Sequence, residues 1–188
     1  WVPAYCPSNS GTSVNPIVFF AQYPAALNSG SPSLLSEIRR SINPGTTNGS
    51  ALNTWTEGDA ARDYVIFDGL YADESVALSG SNCGVFGISG TSAGCEFRRC
   101  WIDRTDVPAY SGGYNGNSFY ITSTTDAKVR DCLITGGGTS TLAHQNDSAI
   151  ELYNSENPIV EYNTLTNCGQ AIFVKTEAPT DDGQLINV

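Results

Sequence analysis

Side chains that could bind or transform a ligand recur at matching places in four short apolar stretches of the chain. The stretches are "VFGIS" from Val85, "SFYIT" from Ser118, "AIELY" from Ala149 and "AIFVK" from Ala171. In each one, apolar residues alternate with other residues, which is the period-two pattern of a strand with one buried face. Strands aligned side by side would present two outward columns, one of Gly87, Tyr120, Glu151 and Phe173 and one of Ser89, Thr122, Tyr153 and Lys175.

The candidate binding residues in these columns are Tyr120, Glu151, Tyr153, Phe173 and Lys175. Aromatic rings beside a carboxylate and an amine suit an extended sugar polymer, because pyranose rings stack on aromatic faces while hydroxyl and uronate groups need polar partners. The alternative is a solvated sheet face whose rings stack on each other or contact a neighbouring subunit. The pattern therefore predicts a carbohydrate-binding or a partner-binding face, and both interpretations stay open.

Acidic residues could supply two further kinds of chemistry. Hydrolysis of a glycosidic bond uses two closely placed carboxylates, and the available acids are Glu151, Glu161, Asp181 and Asp182. Glu161 belongs to a different set of strands from Glu151 and the two aspartates to a loop, so the sequence does not force a pair. Calcium is the one cofactor that oxygen ligands would suit, and the available acids are Asp147, Glu151, Glu177, Asp181 and Asp182. Scattered acids are usually solvated, so we predict no metal site and no firm cofactor, with calcium as the alternative.

A repeat organises the strands that carry these residues. The stretches "VIFDGLYAD", "FRRCWIDRT", "VRDCLITGG" and "VEYNTLTNC" begin at Val65, Phe97, Val129 and Val160, so the period is about 32 residues. Their alignment predicts that Val65, Phe97, Val129 and Val160 share one buried column. It predicts a second buried column of Leu70, Ile102, Ile134 and Leu165.

The residues between the strands leave no room for a helix in each repeat, since they are mostly Gly, Asn, Ser, Thr and Asp. Each repeat is therefore predicted to be one coil of a β-solenoid, and the fold to be an all-β, single-stranded, right-handed parallel β-helix. One domain is expected over 1–188, with a first coil and capping region at 1–60 and about four coils at 61–188. The last residues read as a loop and the start of another coil, which is compatible with a native chain that extends beyond Val188.

A short helix is predicted in "SPSLLSEIRRSI", before the repeats. Ser31 is a candidate N-cap and Pro32 suits the first helical turn. The apolar residues on one side are Leu34, Leu35, Ile38 and Ile42. We expect this helix to cap the N-terminal end of the solenoid, because an open end would expose strand edges.

Two cysteines occupy the same place in successive repeats. Cys100 and Cys132 align with each other and with Asn163 in the next repeat. A spacing of about 4.8 Å between neighbouring strands allows either a stack of buried thiols or a disulfide. The stack is favoured, because free cysteine is among the most buried residue types. Zinc is disfavoured, since His144 is the only histidine.

Composition limits the partners and the location. A formal net charge of −10 would repel a phosphate backbone, so nucleic acid is not an expected partner. No apolar run reaches the roughly 18 residues of a membrane span. Six cysteines, an even number, are compatible with disulfides outside the cell. The expected location is extracellular, secreted or exposed at a surface.

Two segments resemble a known family. "GTSVNPIVFFAQYP", from Gly11 to Pro24, and "DYVIFDGL", from Asp63 to Leu70, resemble the start of secreted right-handed parallel β-helix proteins of the pectate-lyase-like superfamily, closest to the chondroitinase B and alginate lyase family. That resemblance implies a polysaccharide lyase with a lysine base, a neighbouring arginine and often calcium. Of these parts only Lys175 has a match on a strand, and no arginine follows it, so Lys175 is a weak catalytic candidate.

Two classes of function follow from these observations. One is an exported domain that binds or cleaves carbohydrate, as a polysaccharide lyase or a glycoside hydrolase if it is an enzyme. The other is a structural β-helical module of a phage virion, tailspike or cell-surface appendage, in which the partners are further subunits, as in a homotrimer. The resemblance favours the first class, and the incomplete catalytic set favours the second.

Overall fold

A computed structural model describes residues 7–27, 29–30, 52–54, 60–73, 82–104, 115–136 and 148–175. These residues form three sheets. The first sheet contains β1 (Ile17–Phe20), β3 (Val65–Asp68), β6 (Glu96–Arg98), β9 (Lys128–Arg130) and β12 (Ile159–Glu161). The second contains β4 (Tyr71–Asp73), β7 (Trp101–Asp103), β10 (Leu133–Thr135) and β13 (Thr164–Thr166). The third contains β2 (Leu52–Asn53), β5 (Asn82–Ile88), β8 (Asn115–Thr122), β11 (Ile150–Tyr153) and β14 (Ile172–Lys175).

From β3 onward, successive strands belong in turn to the first, second and third sheet, and we call each set of three strands a circuit. β3, β4 and β5 belong to the first, second and third sheet, and the same order repeats three more times up to β14. Every strand pair is parallel, for example β9 with β12 and β8 with β11. The all-β prediction is confirmed, and stacked parallel sheets are consistent with a parallel β-helix.

Aromatic side chains fill the space between the sheets. The Phe97 ring lies 5.0 Å from Phe67, 5.2 Å from Phe86 and 5.3 Å from Phe119, measured between ring centroids. All four rings have no solvent exposure. Because Phe67 and Phe97 come from the first sheet and Phe86 and Phe119 from the third, this cluster joins the two sheets across the core.

The predicted buried columns are right in three circuits and displaced in one. Val129 lies between Phe97 and Val160, as predicted, but the partner of Phe97 in β3 is Phe67 and not Val65. In the second column Ala72 takes the place predicted for Leu70. The path from Phe67 to Phe97 is two residues shorter than the path from Phe97 to Val129. Because side chains alternate with period two, this displacement leaves Val65 and Leu70 facing inward.

Single residues in the left-handed conformation turn the chain between the first and second sheets. Gly69 has φ of 78°, Arg99 of 52°, Asp131 of 54° and Tyr162 of 56°. A non-glycine residue pays a small steric cost there, and the packing of the two flanking strands holds it in place. The next residues are Leu70, Cys100, Cys132 and Asn163. The first three belong to the apolar core, and Asn163 forms a hydrogen bond with the preceding circuit.

The cysteines occupy this inward corner position as free thiols. Cys100 donates from Sγ to the Phe67 carbonyl at 3.6 Å, and Cys132 donates one circuit later to the Phe97 carbonyl at 3.8 Å. Asn163 continues the series, since its Nδ2 donates to the Val129 carbonyl at 2.9 Å. The predicted stack of buried thiols, extended by an asparagine, is therefore present.

Other predictions fall beyond the described ranges. The helix expected within 31–42 lies outside the described residues, and the described N-terminal part has a 3-10 turn at Ala25–Leu27. The division into a region at 1–60 and coils at 61–188 stays a prediction. Over the part of the chain that the structure describes, no helix has the length and apolar character needed to cross a membrane.

Candidate ligand-binding face

The candidate residues come together on one side of the third sheet. Tyr120 pairs with Glu151 and Glu151 with Phe173 across β8, β11 and β14. Two residues further along the same strands, Tyr153 pairs with Lys175. We call Tyr120, Glu151, Tyr153, Phe173 and Lys175 the aromatic-acid face. The register predicted from alternating apolar residues is correct at these positions. Ile121, Leu152 and Val174 pair with one another in the column that lies between the two columns of the face.

Solvent exposure along this side of the sheet increases from β5 to β14. Gly87 and Ser89 are buried, Glu151 is 5% exposed, and Lys175 is exposed. The Ser89 N–H donates to Thr54 Oγ1 at 3.1 Å, close to where β2 pairs with β5. At the β5 end the columns keep the predicted register, since Gly87 pairs with Tyr120, but they are covered. The accessible part of the face therefore lies on β8, β11 and β14.

Glu151 is a sheltered carboxyl group with one defined partner. Its Oε2 accepts a hydrogen bond from Asn117 Nδ2. The Asn117 amide is oriented by Ser148, whose N–H and hydroxyl donate to Asn117 Oδ1 at 3.1 and 2.8 Å. Since Oδ1 is used by two donors, Nδ2 must face the carboxyl group. Asn117 and Ser148 thus set the position of Glu151.

Sequence reasoning missed Asn117, although a signal was present. Asn117 precedes Phe119 by two residues in β8. Because alternate residues of a strand point to the same side of the sheet, Asn117 is at an inward position like Phe119. A polar side chain at such a place is buried and needs hydrogen-bond partners, and Asn117 is 1% exposed. A search for polar residues with inward parity would have identified it.

Burial and neighbouring groups shift the pKa of Glu151 in opposite directions. Desolvation raises the pKa of its carboxyl group, whereas the hydrogen bond from Asn117 and the charge of Lys175 lower it. The net effect is a pKa above the usual glutamate value, because desolvation is the largest contribution. Glu151 is consequently easier to protonate than a surface glutamate.

Lys175 is held near two groups of the face. Its Nζ lies 5.3 Å from the centroid of the Tyr153 ring, a cation–π contact, and its charge acts on Glu151. The arginine that a lyase would place beside its lysine base is not supplied by Arg98 or Arg130, which lie on the first sheet. The contacts of Lys175 are those of a charge-balancing group.

Glu161, the other candidate carboxylate with a described position, does not join Glu151. Glu161 lies in β12 of the first sheet, as the sequence indicated. The calcium-ligand candidates Asp147, Glu177, Asp181 and Asp182 lie outside the described residues. Among the residues with a described position, no group of three or more His, Cys, Asp or Glu side chains is arranged to hold a metal ion.

A second charged surface covers the first sheet. The Asp68 carboxylate accepts from Arg98 Nε at 2.9 Å and from Arg99 Nε at 2.7 Å. One circuit later Glu96 accepts from Arg130 Nε at 2.5 Å. Each carboxylate is almost fully buried and is paired with an arginine of the following circuit, so this surface is internally neutralised.

Comparisons of the chain with protein families, with curated proteins and with solved structures gave no match. The functional interpretation therefore depends on the geometry of the aromatic-acid face and on the chemistry of its five side chains.

Proposed function

We propose that the chain is an exported right-handed parallel β-helix domain that binds carbohydrate through the aromatic-acid face. The observation that carries the proposal is the register of β8, β11 and β14, which aligns Tyr120, Glu151 and Phe173 in one column and Tyr153 with Lys175 in the next. The resemblance of the N-terminal segments to pectate-lyase-like proteins supports both the fold and the ligand class.

The spacing of the column suits an extended chain of sugars. Neighbouring strands lie about 4.8 Å apart, so the three side chains of the first column cover about 10 Å across the strands. That distance is similar to two consecutive pyranose units. The half-buried rings of Tyr120 and Phe173 offer apolar surface on either side of the Glu151 carboxyl group, which is the mixed character that carbohydrate sites require.

Binding is favoured over cleavage by the composition of the face. A glycosidase of the usual kind needs a second carboxylate about 5–10 Å from the first, and Glu161, the candidate with a described position, is on another sheet. A lyase would have to use Lys175 as its base, but that ammonium lies over the Tyr153 ring beside Glu151. We therefore propose a binding module, with polysaccharide lyase activity as the enzymatic alternative.

A second candidate function is a structural module of a virion or surface appendage. Exposed apolar side chains favour it, because Tyr162 is 80% exposed, Ile159 39% and Val174 38%, all on the last described circuit. Such side chains commonly mark contacts with another subunit. In this alternative the aromatic-acid face would contact a neighbouring copy, for example in a trimer.

Binding to a glycan panel and the oligomeric state, measured together, separate these functions. We expect wild type to bind at least one glycan, and Phe173→Ala and Tyr153→Ala to weaken binding about tenfold or more. Tyr162→Ala, which removes an exposed ring away from the face, is the matched control and should bind normally. No glycan binding, with dissociation of an oligomer by Phe173→Ala, would refute the proposal and support the assembly function. Release of unsaturated product would identify a lyase.

A further inference from the structure

We propose that the aromatic-acid face selects neutral, hydroxyl-rich glycans over uronates, with Glu151 as the residue that determines this specificity. The inference rests on the proposed carbohydrate-binding function and adds the class of sugar. It is opposite to the uronate preference that the N-terminal resemblance implies.

The hydrogen bond from Asn117 occupies one of the two carboxyl oxygens of Glu151. Oε2 accepts from Asn117, and Asn117 cannot rotate without losing its two bonds from Ser148. Within the described ranges, no donor is hydrogen-bonded to Oε1. A carboxylate oxygen only accepts hydrogen bonds, so the group that complements Oε1 is a donor such as a sugar hydroxyl.

Charge on the face opposes a uronate. Among the described residues, the groups that neighbour Glu151 are Asn117 and Tyr120 from β8, Phe173 and Lys175 from β14, and Tyr153 on its own strand. Lys175 is the single cation among them, and its charge already acts on Glu151 and on the Tyr153 ring. A uronate carboxylate would therefore meet a second carboxylate without an uncommitted cation, and the low local dielectric would strengthen the repulsion.

The limited accessibility of Glu151 also favours a hydroxyl. Glu151 is 5% exposed, and bringing a charged uronate against a sheltered carboxyl group costs more desolvation energy than bringing a neutral hydroxyl there. Phe173, half-buried on the neighbouring strand, supplies apolar surface for the ring that carries this hydroxyl. A neutral pyranose satisfies both contacts, because it has an apolar face and hydroxyls at its edge.

The experiment compares neutral and acidic oligosaccharides of equal length by calorimetric titration of wild type. Glucan, mannan, galactan and xylan hexasaccharides form the neutral set, and galacturonan, alginate and chondroitin hexasaccharides form the acidic set. We expect the best neutral ligand to bind at least about tenfold more tightly than any uronate. Its affinity should change less than about twofold on raising NaCl from about 50 to 500 mM, because no ion pair is formed with the ligand.

Two variants test the role assigned to Glu151. Glu151→Gln keeps an acceptor for Asn117 but removes the negative charge. We expect it to bind neutral glycans about tenfold more weakly and to reduce the ratio of neutral-glycan affinity to uronate affinity. Glu161→Gln on the first sheet is the matched control and should change neither the neutral-glycan affinity nor that ratio. Tighter binding of uronates, abolished by Phe173→Ala, would overturn the neutral preference while the carbohydrate function stands. Absence of binding to both sets would overturn the two together.

Discussion

At the scale of single residues, Glu151 shows how a polar group can be held inside an otherwise apolar strand. Its burial would be unfavourable without a partner, and the Asn117 amide supplies that partner on the neighbouring strand. The same logic applies at the corner, where Asn163 follows two cysteines and bonds to the Val129 carbonyl and the Cys132 N–H. Both polar side chains are tolerated because the preceding circuit provides a matching donor or acceptor.

The raised pKa of Glu151 predicts a stability difference that depends on pH. The folded pKa lies above the unfolded value, so wild type loses stability as pH rises from the unfolded pKa through the folded pKa. The Glu151→Gln variant should not show this loss of stability, because glutamine does not ionise. In thermal melts at pH 7 the Glu151→Gln variant should be more stable than wild type by about 1 kcal/mol, or roughly 3 °C in Tm. Near pH 4 the two proteins should be equally stable. A variant less stable than wild type at both pH values would contradict the account of Glu151.

The corner thiols should be chemically inert in the folded protein. Burial raises the pKa of Cys132, and burial likewise raises the pKa of Cys95 to about 11, so little reactive thiolate forms near neutral pH. Mass spectrometry after iodoacetamide treatment should find Cys95, Cys100 and Cys132 unmodified until denaturant is added. A clear fall in Tm on adding reductant, traced to a Cys100–Cys132 bond, would contradict the thiol stack.

At the scale of secondary-structure elements, ion pairs between circuits support the first sheet. Burial alone would raise the pKa of Asp68, but hydrogen bonds from Arg99 and Arg98 outweigh it and lower the pKa. This stabilisation is present above the unfolded carboxylate pKa and is lost as pH falls through the lower folded pKa. Arg98 and Asp68 also lie in neighbouring strands of matched register, so the pair reports on the alignment of β3 with β6.

Removing the Asp68 charge should therefore cost stability in a pH-dependent way. We expect Asp68→Asn to lose about 2 kcal/mol at pH 7 in denaturant unfolding, less than a fully buried pair because the arginines are partly exposed. The loss should diminish in acid. Asp126→Asn, at an exposed corner with φ of 55°, is the control and should be near neutral. An equal effect of the two substitutions would show that the ion pairs do not stabilise the sheet.

At the scale of the whole molecule, stacking of equivalent positions in successive circuits organises the fold. Phe19, Phe67 and Phe97 stack in one inward column that continues through Val129 and Val160. An acidic residue in the middle of that column would be buried between apolar neighbours on both sides. The column is thus the place where a single substitution has the largest expected effect on folding.

Val129→Asp should prevent folding, because Val129 is 1% exposed and lies between Phe97 and Val160. The cost of burying an unpaired charge is comparable to the total stability of a domain. Circular dichroism and size exclusion should report an unfolded or aggregated chain. Val18→Asp, on the edge strand β1 at 40% exposure, is the matched control and should fold. A folded Val129→Asp protein with wild-type Tm would refute the assigned column.

The sequence predicted the strands and their register wherever the apolar repeat is regular. Tyr120, Glu151 and Phe173 aligned correctly because each lies next to an inward residue that repeats in all circuits. The register failed at Val65 because the circuit that follows it is shorter, and alignment without gaps cannot detect a missing pair of residues. The burial of Glu151 was not predicted, because it depends on a hydrogen bond from Asn117 of the preceding circuit, which the apolar repeat does not indicate.

Backbone amide chemical shifts, recorded while the protein is titrated with its best neutral oligosaccharide, test the binding face most directly. The account predicts that the largest changes fall on Tyr120, Glu151, Tyr153, Phe173 and Lys175, and that Arg98 and Arg130 on the first sheet stay unchanged. Changes centred on the first or second sheet, or saturation binding without any change on β8, β11 and β14, would contradict it.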